Sequence, residues 1–540
     1  MFNKILIANR GEIAIRIIRT CREMDIKTVA LCPQKGEEAN FMETELADEF
    51  YYLEEEGATG YLNQRKIIEI AKRSGAEAVH PGYGFLAQNS DFAELCRLNE
   101  IKFIGPAPET LSKIGDKVEA KKIAWKIGIP LLPGPQRAID ERECFKMAKK
   151  TKPPFLLKAV DGGGGIGMTE IHRINKEEIM ESFQKLKRTS ESAFNSKKIF
   201  IEKLLVSPRH IEFQILGDGR GKVLHLGERE CSIQRRHQKL VEEAPSPFLD
   251  SKLRERMGNL AVKLGQHLRY EGAGTVEFLV DQDRNFYFLE VNPRLQVEHP
   301  VTELITGLDL VELQIRVASG EKLDFKQKHV KFFGLAMEFR IYAEDALADF
   351  RPLAGQISEY LPPGGKGIEV HSFCRTGQKI LPYFDSLLAK LVIFDKERKS
   401  VIERAKRAFQ EYIIGGVPTL IPLYKTLLEN QSFLEGRLST DFIEREKIIE
   451  TLKEKNIPQT VIAPEKILVS PERQKAEKGK IMDEEEIAWL AAKIYQNLRK
   501  KKTEAPAVDK WKLAERLSVM TETSPDLPPD VAWSRSASEE

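Results

Sequence analysis

Residues 285–303 read NFYFLEVNPRLQVEHPVTE, and this stretch decides how the rest of the chain is interpreted. Its first part, from Phe286 to Val291, is apolar and aromatic, as is typical of a β-strand. Alternate side chains of an extended backbone point to the same face. An extended stretch would therefore align five polar side chains: Glu290, Asn292, Arg294, Gln296 and Glu298. An amphipathic edge strand gives the same pattern, but a charge inside an apolar run is costly unless it is neutralised. The stretch therefore predicts a functional surface.

A second predicted strand, Thr275 to Val280, precedes this one and is joined to it by residues 281–285, whose composition indicates a hairpin turn. A turn centred near residues 283–284 places Glu277 opposite Glu290, and like charges that face each other across a ladder are destabilising. A divalent cation such as Mg²⁺, which commonly binds one or two carboxylates, would remove this conflict. A protonated glutamate or a shifted register would also remove it.

Composition limits the class of protein. The chain has 540 residues, enough for about three or four domains. Hydrophobic residues make up 41%, charged residues 31%, and the net charge is +2, which does not indicate a nucleic-acid or membrane-surface protein. No apolar run is long enough to span a membrane, and the N-terminus lacks a secretion signal. The six cysteines are scattered without a Cys-x-x-Cys pair. We therefore expect a cytoplasmic protein with free thiols.

The N-terminal part alternates between predicted strands and helices. Residues 3–8 and 27–32 are predicted strands, residues 64–73 a helix, and residues 77–80 the end of another strand. This alternation indicates a parallel, Rossmann-like sheet. The loop His80-Pro-Gly-Tyr-Gly-Phe85 follows a strand, where such sheets often bind ligands. A plain turn is the simpler alternative for this loop.

A glycine loop follows in the middle of the chain. Residues 116–130 are a predicted helix with Asp116 as its N-cap. Phe155 to Ala159 is a predicted strand that carries Lys158 and leads into Asp161-Gly-Gly-Gly-Gly-Ile-Gly-Met168. Successive glycines are entropically costly, but they suit a loop whose N–H groups surround phosphate oxygens. The loop is not a Walker A motif, because no Gly-Lys-Ser/Thr follows.

The remaining segments add a charged run, a third domain and a tail. Residues 228–239 are dense in charge but lie between apolar segments, so we interpret them as a loop of the site rather than a solvated face. Residues 337–341, 358–361 and 390–394 are predicted strands, and residues 398–413 a helix. Beyond about residue 450 the composition is typical of linkers and tails, interrupted by an amphipathic helix predicted over 483–498.

Taken together, these features resemble the biotin carboxylase family of ATP-grasp enzymes over roughly residues 1–445. The family's motifs occur in the family's order: Asn9-Arg-Gly-Glu-Ile-Ala, His80-Pro-Gly-Tyr-Gly-Phe-Leu, Phe103-Ile-Gly-Pro, Gly115-Asp-Lys, the glycine loop, Glu228-Arg-Glu-Cys-Ser-Ile-Gln-Arg-Arg-His-Gln-Lys, and Glu290-Val-Asn-Pro-Arg-Leu-Gln-Val-Glu-His-Pro-Val-Thr-Glu.

The resemblance implies roles for individual residues. It implies ATP-binding residues at Lys117, Lys158, Glu202, Lys203, Leu205, His210, Gln234, His237 and Leu279, with Gly164 and Gly165 in the phosphate loop. It implies Mg²⁺ or Mn²⁺ ligands at Glu277, Glu290 and Asn292. It implies a bicarbonate site of Lys239, Arg294, Gln296 and Val297, with Glu298 as the general base and Arg340 as the residue that stabilises the biotin enolate. Tyr83, Tyr383 and Asp385 fall in motifs near the biotin site.

The resemblance also implies a multidomain α/β and α+β architecture. The expected parts are a Rossmann-like N-terminal domain over 1–112, an ATP-grasp domain over 113–325 with a mobile lid near 131–205, a biotin carboxylase C-terminal domain over 326–447, and a linker, helix and tail over 448–540 that could dock a partner. No Met-Lys-Met biotinylation motif is present, so biotin must come from a separate carrier protein.

The expected activity is ATP- and bicarbonate-dependent carboxylation of biotin on that carrier, via carboxyphosphate. We expect a homodimeric subunit of an acyl-CoA carboxylase that also contains a carboxyltransferase. The alternatives are a catalytically impaired scaffold and a pyruvate carboxylase subunit. Ile166 and Thr169 stand where the family usually has basic residues, which favours the scaffold, whereas the intact Lys239, Arg294 and Glu298 disfavour it. A carbamoyl-phosphate type of ligase is disfavoured by the residue 234–239 loop and by Arg340.

Overall fold

The structure is a computed structural model, and it describes part of the chain. The described residues are 1–455 without 34, 36–40, 56, 136, 160–167 and 195–197, and without the side chains of 192–194. The predicted tail helix over 483–498, the docking role expected of the tail, and Gly164 and Gly165 lie outside the described residues.

The N-terminal part is a five-stranded parallel sheet covered by helices, so the predicted Rossmann-like arrangement is confirmed. The strand order is β3-β2-β1-β4-β5. The elements are β1 (Lys4–Ile7), α1 (Gly11–Glu23), β2 (Lys27–Cys32), α2 (Met42–Leu46), β3 (Glu49–Tyr52), α3 (Gln64–Ser74), β4 (Ala78–His80), α4 (Ser90–Leu98) and β5 (Lys102–Phe103).

Two sequence motifs meet at the end of this sheet. The side chain of Asn9, which follows β1, donates through Nδ2 to the carbonyl oxygens of Pro81 and Tyr83, both at 2.7 Å. Gly82 lies between them with φ of +60°, and a Cβ atom there would come within 2.9 Å of Asn9 Nδ2. The glycine is needed for this close approach. The contact fixes the loop that carries Tyr83 against the start of α1.

A small three-stranded antiparallel sheet of order β7-β6-β8 forms the next part. Three helices precede its first strand. The elements of this part are α5 (Pro108–Gly115), α6 (Lys117–Lys126), α7 (Glu141–Thr151), β6 (Phe155–Ala159), β7 (Met168–Ile171), α8 (Lys176–Phe194) and β8 (Ile199–Lys203). Thr169 pairs with Leu157 across β7 and β6. The helix predicted over 116–130 does begin after Asp116, but it ends at Lys126.

A continuous eight-stranded sheet dominates the remainder. Its order is β13-β12-β9-β10-β11-β14-β21-β19. In chain order, the elements from β9 to β14 are β9 (Arg209–Asp218), β10 (Val223–Arg235), β11 (Gln238–Ala244), α9 (Ser251–His267), β12 (Glu271–Val280), β13 (Phe286–Asn292), α10 (His299–Thr306), α11 (Leu310–Ala318) and β14 (Leu335–Tyr342).

Short strands and helices complete the described chain: β15 (Glu344–Asp345), β16 (Arg351–Pro352), β17 (Gly355–Gln356), β18 (Glu359–Leu361), β19 (Ile368–Ser372), β20 (Lys379–Ile380), β21 (Leu387–Asp395), α12 (Arg398–Glu411), β22 (Ile413–Gly415), α13 (Ile421–Leu427), α14 (Gln431–Leu434), α15 (Phe442–Arg445) and α16 (Ile448–Glu454). The predicted strands and helix of this region are confirmed, although β14 and β21 extend a few residues beyond the predicted ranges. Ile448 and Leu452 of α16 pack into the same hydrophobic core as β14 and β21.

The charged run 228–239 is not a loop, so that prediction is wrong. It continues β10 to Arg235, turns at Arg236 and His237, and returns along β11. The charges are tolerated in a sheet because their partners lie on neighbouring strands, as Arg209 does for Glu230 at 3.1 Å.

Two predictions about the whole chain can be checked against the described residues. The six cysteines are buried free thiols, as expected. Among the helices of the described part, none is both long enough and apolar enough to cross a membrane.

We predict that Asp116→Ala loosens the start of α6. The Asp116 side chain accepts hydrogen bonds from the backbone N–H groups of Val118 and Glu119, at 2.8 and 3.1 Å. Losing such a cap costs about 1 kcal/mol, so hydrogen exchange at these two amides should accelerate by roughly fivefold. Asp116→Asn, which keeps an acceptor, should exchange like the wild type. Unchanged protection in the alanine variant would refute the capping role.

Candidate active site

Lys239 on β11 lies at the centre of a cluster of buried carboxylates. Its Nζ donates to Glu212 Oε2 at 2.6 Å, to Glu298 Oε1 at 2.7 Å and to Glu277 Oε1 at 3.2 Å. Burial alone would lower the pKa of Lys239, but these three carboxylates raise it well above its ordinary value. The ammonium group is therefore charged at neutral pH. It holds β9, β12 and the residue before α10 in one arrangement.

Glu298 is shared between two cations. Its second oxygen, Oε2, accepts from Arg340 Nη2 at 2.9 Å, and its side chain is fully buried. Burial alone would raise the pKa of the Glu298 carboxyl, but Lys239, Arg340 and Arg229 lower it well below its ordinary value. A carboxylate with so low a pKa is a weak base until these cations bind something else.

Arg229 on β10 underlies this cluster. Its side chain is completely buried, and Nε donates to Glu212 Oε1 at 2.6 Å. Nη1 donates to Gln214 Oε1 at 2.8 Å and to Thr302 Oγ1 at 2.9 Å, while Nη2 donates to Thr275 Oγ1 at 3.0 Å. Because Thr302 belongs to α10, the guanidinium ties that helix to three strands of the sheet.

The segment after β13 turns, so the predicted extended row is wrong beyond Asn292. Pro293 lacks the N–H group that would continue the ladder, and Glu298 has φ of −80° and ψ of 13° as the N-cap of α10. The polar side chains converge nevertheless. Arg294 Nη1 donates to Gln296 Oε1 at 3.0 Å, and Gln296 Nε2 to Glu277 Oε1 at 3.3 Å.

The predicted carboxylate pair is present. Glu277 pairs directly with Glu290 across β12 and β13, as the hairpin predicted. Glu277 is partly neutralised by His210, whose Nε2 lies 3.0 Å from Oε2, and by Lys239. Burial alone would raise the pKa of Glu277, but Lys239 and His210 lower it strongly. The ionised Glu277, the opposed Glu290 and the Asn292 amide oxygen form the oxygen-rich set that Mg²⁺ prefers. These residues therefore fit the metal.

A cavity of about 120 Å³ lies beside this pair. Lys117 and Lys121, one turn apart on α6, line it together with Lys158 on β6. Glu290 and Asn292 line its other side. Lysines such as Lys117 and Lys158 around one cavity attract a polyanion such as a nucleoside triphosphate.

A second carboxylate pair lies behind Arg340. Glu242 on β11 is directly opposite Glu338 on β14, and both side chains are completely buried. Glu242 Oε1 lies 2.5 Å from Arg340 Nη2. Burial raises the pKa of Glu242 to about 7 against the opposing effect of Arg340, and burial also raises that of Glu338 well above its ordinary value.

Three family models match the chain in succession. The N-terminal domain of biotin carboxylase matches residues 1–111, the ATP-binding domain of the carbamoyl-phosphate synthase L chain matches residues 116–326, and the C-terminal domain of biotin carboxylase matches residues 338–445. The biotin carboxylase of a Nostoc species is 49% identical over 445 residues, which cover 82% of this chain and 99% of that protein.

The chain belongs to the biotin carboxylase family.

Other relatives agree with this assignment. A pyruvate carboxylase subunit of Methanothermobacter thermautotrophicus is 48% identical over 446 residues, covering 82% of this chain and 90% of that protein. The biotin carboxylase domain dimer of Hydrogenobacter thermophilus 2-oxoglutarate carboxylase, crystallised with MgADP, ADP and bicarbonate, has a TM-score of 0.79 and 43% identity, covering 83% of this chain and 98% of that chain. The predicted family, ATP-grasp fold and ATP-dependent ligase activity are confirmed.

Some of the remaining residues singled out by the family resemblance lie on strands next to Lys239 and His210, and others lie elsewhere. Gln234 pairs with Lys239 across β10 and β11, and Leu279 pairs with His210 across β12 and β9. Lys203 lies outside that sheet, on β8. Its Nζ donates to the carbonyl oxygens of Lys152 and Pro153. Its side chain is thus held by the chain before β6.

Two residues proposed for the biotin side, Asp385 and Tyr383, and two proposed for nucleotide binding, His237 and Leu205, lie nearer the surface. Asp385 is exposed and accepts through Oδ1 from the N–H of Leu387 at 2.8 Å. Tyr383 is 42% exposed, and His237 lies in the turn between β10 and β11 with φ of +66°. Leu205 is half-buried just after β8.

Sequence reasoning missed several residues of the site. Glu212 and Glu242 contact the central cations, but they lie outside the quoted motifs. Arg229 belongs to the motif of residues 228–239, yet the motif gave no sign of its contact with Glu212. Lys121 could have been found, because it lies four residues after Lys117 and therefore on the same helix face. Lys121 forms an ion pair with Glu202. Burial, Lys158 and Lys117 nevertheless lower the pKa of Lys121 to about 7.

We predict that Glu242→Gln changes the pH dependence of stability. The pKa of Glu242 rises from 4.5 to about 7 on folding, so folding takes up a proton between these values. The contribution of Glu242 to the free energy of unfolding should then fall as the pH rises from about 5 to about 7 and be constant above that range. The variant lacks this contribution, so its melting temperature relative to the wild type should increase over the same interval, by the equivalent of about 1–3 kcal/mol. Glu397→Gln, at an exposed position, is the control. A difference in melting temperature between Glu242→Gln and the wild type that does not vary with pH would contradict the raised pKa of Glu242.

Proposed function

We propose that this chain carboxylates biotin on a separate carrier protein, using ATP and bicarbonate and passing through carboxyphosphate. The observation that carries the proposal is the position of Glu298, which lies between the ammonium group of Lys239 and the guanidinium of Arg340 at 2.7 and 2.9 Å. A buried carboxylate between two cations can accept a proton once an anionic substrate competes for those cations.

Bicarbonate supplies that competition. It is a weak nucleophile and must lose a proton before it attacks a phosphoryl group. When its oxygens bind Lys239 and Arg294, Lys239 no longer lowers the pKa of Glu298 as strongly. The pKa of Glu298 then rises toward the range in which a carboxylate acts as a general base. Gln296 and the Val297 backbone complete the proposed bicarbonate site.

The nucleotide is held next to this centre. Lys117 and Lys158 line the adjoining cavity and would offset negative charge on the transferring phosphoryl group. Glu277, Glu290 and Asn292 would hold the metal, which stabilises charge on phosphate oxygens when bound. The other proposed nucleotide contacts are Glu202, Lys203, Leu205, His210, Gln234, His237 and Leu279, with Gly164 and Gly165 of the glycine loop.

Biotin would approach Glu298 from the side of Arg340, opposite Lys239. Arg340 already binds Glu298 Oε2 and would stabilise the enolate form of the biotin ureido group by its positive charge. Tyr83 and Asp385 would lie along the approach of biotin, with Tyr383 nearby. Carboxyphosphate would deliver CO₂ to the ureido nitrogen there.

The final acceptor depends on a carboxyltransferase that we expect on another chain. We propose an acyl-CoA first. The Methanothermobacter relative, which is named as part of a pyruvate carboxylase, supports pyruvate as the second candidate. Copurification of the tagged chain with its carrier and transferase, followed by labelled-bicarbonate incorporation into acetyl-CoA, propionyl-CoA or pyruvate, decides between them. Labelling of none of these acceptors would refute both choices.

The assembly and its location are also proposals. The dimeric Hydrogenobacter domain supports a homodimer, and the buried free cysteines support a cytoplasmic location. We propose domains over 1–112, 113–325 and 326–447, followed by residues 448–540. Of these last residues, α16 (Ile448–Glu454) packs into the core, and the part beyond it would dock a partner.

We predict that Glu298→Gln abolishes carboxylation without preventing nucleotide binding. The amide cannot take the bicarbonate proton, so bicarbonate-dependent ATP hydrolysis with free biotin should fall about 10²-fold or more. MgADP affinity, measured by calorimetry, should stay near the wild-type value. Glu312→Gln, which removes a carboxylate at the protein surface that pairs with Arg316, is the control. Unchanged turnover in Glu298→Gln would refute the base assignment, and an inactive wild type would favour the scaffold alternative.

We predict that a chain ending at Lys455 still carboxylates free biotin but binds its carrier and transferase more weakly. The end point is chosen because Ile448 and Leu452 are buried in the core. A chain ending at Lys447 lacks α16 and should melt at a lower temperature. Undiminished copurification of the partners with the chain ending at Lys455 would argue against a docking role for the tail.

A further inference from the structure

Lys390 is a completely buried lysine that the proposed reaction does not use. It lies on β21, directly across the ladder from Arg340 on β14. Lysine is rarely fully buried unless it is paired. Its location therefore indicates that the site or the fold depends on its contacts.

The Lys390 ammonium group binds the peptide just before the proposed base. Its Nζ donates to the carbonyl oxygen of Val297 at 2.9 Å. One residue further along, Arg340 Nη2 donates to Glu298 Oε2 at the same distance, 2.9 Å. Two cations that face each other across one ladder thus hold consecutive residues of the turn between β13 and α10.

Glu12, in the first turn of α1, neutralises Lys390 and extends the contact. Glu12 Oε1 lies 3.2 Å from Lys390 Nζ and also accepts a hydrogen bond from Tyr83 Oη. The Lys390 Nζ is 5.9 Å from the centre of the Tyr83 ring, within the range of a cation–π interaction. Glu12 is itself buried. The three side chains therefore connect the carbonyl of Val297 to Tyr83.

This connection joins the two ends of the proposed site. Val297 belongs to the bicarbonate side, whereas Tyr83 belongs to the biotin side. An ammonium group has three N–H donors, so it can bind a carbonyl and a carboxylate at once. Without the Lys390 ammonium group as a donor to the Val297 carbonyl, the turn could shift relative to Arg340. Small displacements of reacting groups slow a reaction strongly.

We propose that Lys390, together with Glu12, is a positioning residue that fixes the Val297–Glu298 turn relative to Tyr83, and so sets the bicarbonate site against the biotin site. This inference rests on the proposed function. Neither residue touches a reacting atom in this arrangement. Their effect is exerted through Val297 and Tyr83.

The test compares Lys390→Met with a matched variant in the full-length chain, using MgATP, bicarbonate and free biotin. Lys390→Met should raise the KM for bicarbonate about tenfold or more while leaving the KM for MgATP near the wild-type value. Lys4→Met is the control, because Lys4 Nζ also donates to one carboxylate, of Glu49 at 2.6 Å, and one carbonyl, of Ser74 at 2.7 Å. Its partners lie in the N-terminal sheet and its covering helix.

A double variant separates positioning from simple stabilisation. Lys390→Met leaves Glu12 buried without its cation, so the melting temperature should fall. Adding Glu12→Gln removes the unpaired charge and should restore much of the melting temperature, while the KM for bicarbonate stays raised. A KM that returns to the wild-type value together with the melting temperature would overturn the positioning role. So would kinetics of Lys390→Met that match those of Lys4→Met.

Two further outcomes are informative. If Lys390→Met does not fold, the comparison is made on the double variant and on Glu12→Gln alone, and an unchanged KM for bicarbonate in the variants that fold overturns the inference. If the wild type shows no bicarbonate-dependent ATP hydrolysis, the proposed function itself fails. If the wild type is active and the variants have the wild-type KM for bicarbonate, only the positioning role is rejected.

Discussion

The contact of one buried lysine with three buried carboxylates is the constraint on which the site depends. Lys239 binds Glu212, Glu277 and Glu298 within 3.2 Å. Removing one partner from a buried ion pair usually costs about 3–5 kcal/mol, because the remaining charge has left water without compensation. The strands β9, β11 and β12 and the start of α10 are therefore held together by charge as well as by apolar packing. Lys239 and Arg340 in the same network lower the pKa of the Glu298 carboxyl, so its basicity depends on what these cations bind.

The shared cation also couples two carboxylates of the candidate site. Glu277 lies on β12 and Glu298 at the N-cap of α10, yet both accept from Lys239. Drawing Lys239 toward one of them weakens its hold on the other, because both contacts compete for the same charge. Arg229 binds the other oxygen of Glu212 below this centre. A change of charge near one of these carboxylates therefore alters the contact of Lys239 with the other.

Local features were predictable and long-range ones were not. The boundaries of β2 and β6 and the Glu277–Glu290 pairing follow from apolar runs and a short turn, which act over a few residues. The alternation of polar side chains predicts one extended strand that continues past Asn292, because alternation gives no sign of where a strand ends. The family resemblance assigned Lys239 and Glu298 without showing their contact across 59 positions, and that of Lys390 with Val297 spans 93. Such contacts depend on sheet order, which no local pattern specifies. The charges of β10 looked loop-like because their partners on β9 and β11 cannot be seen from one segment.

The eight-stranded sheet has a consequence for how the chain can be divided. The family models for the ATP-binding and C-terminal domains meet between residues 326 and 338, but β11 of the first pairs with β14 of the second along four residue pairs. Separating the pieces there would expose the unpaired edges of two strands, which are templates for intermolecular pairing. The two domains are therefore distinct in sequence and a single unit in folding. Gene fusions or fissions in this family can add or remove neighbours at the ends of the chain more readily than they can cut through this sheet.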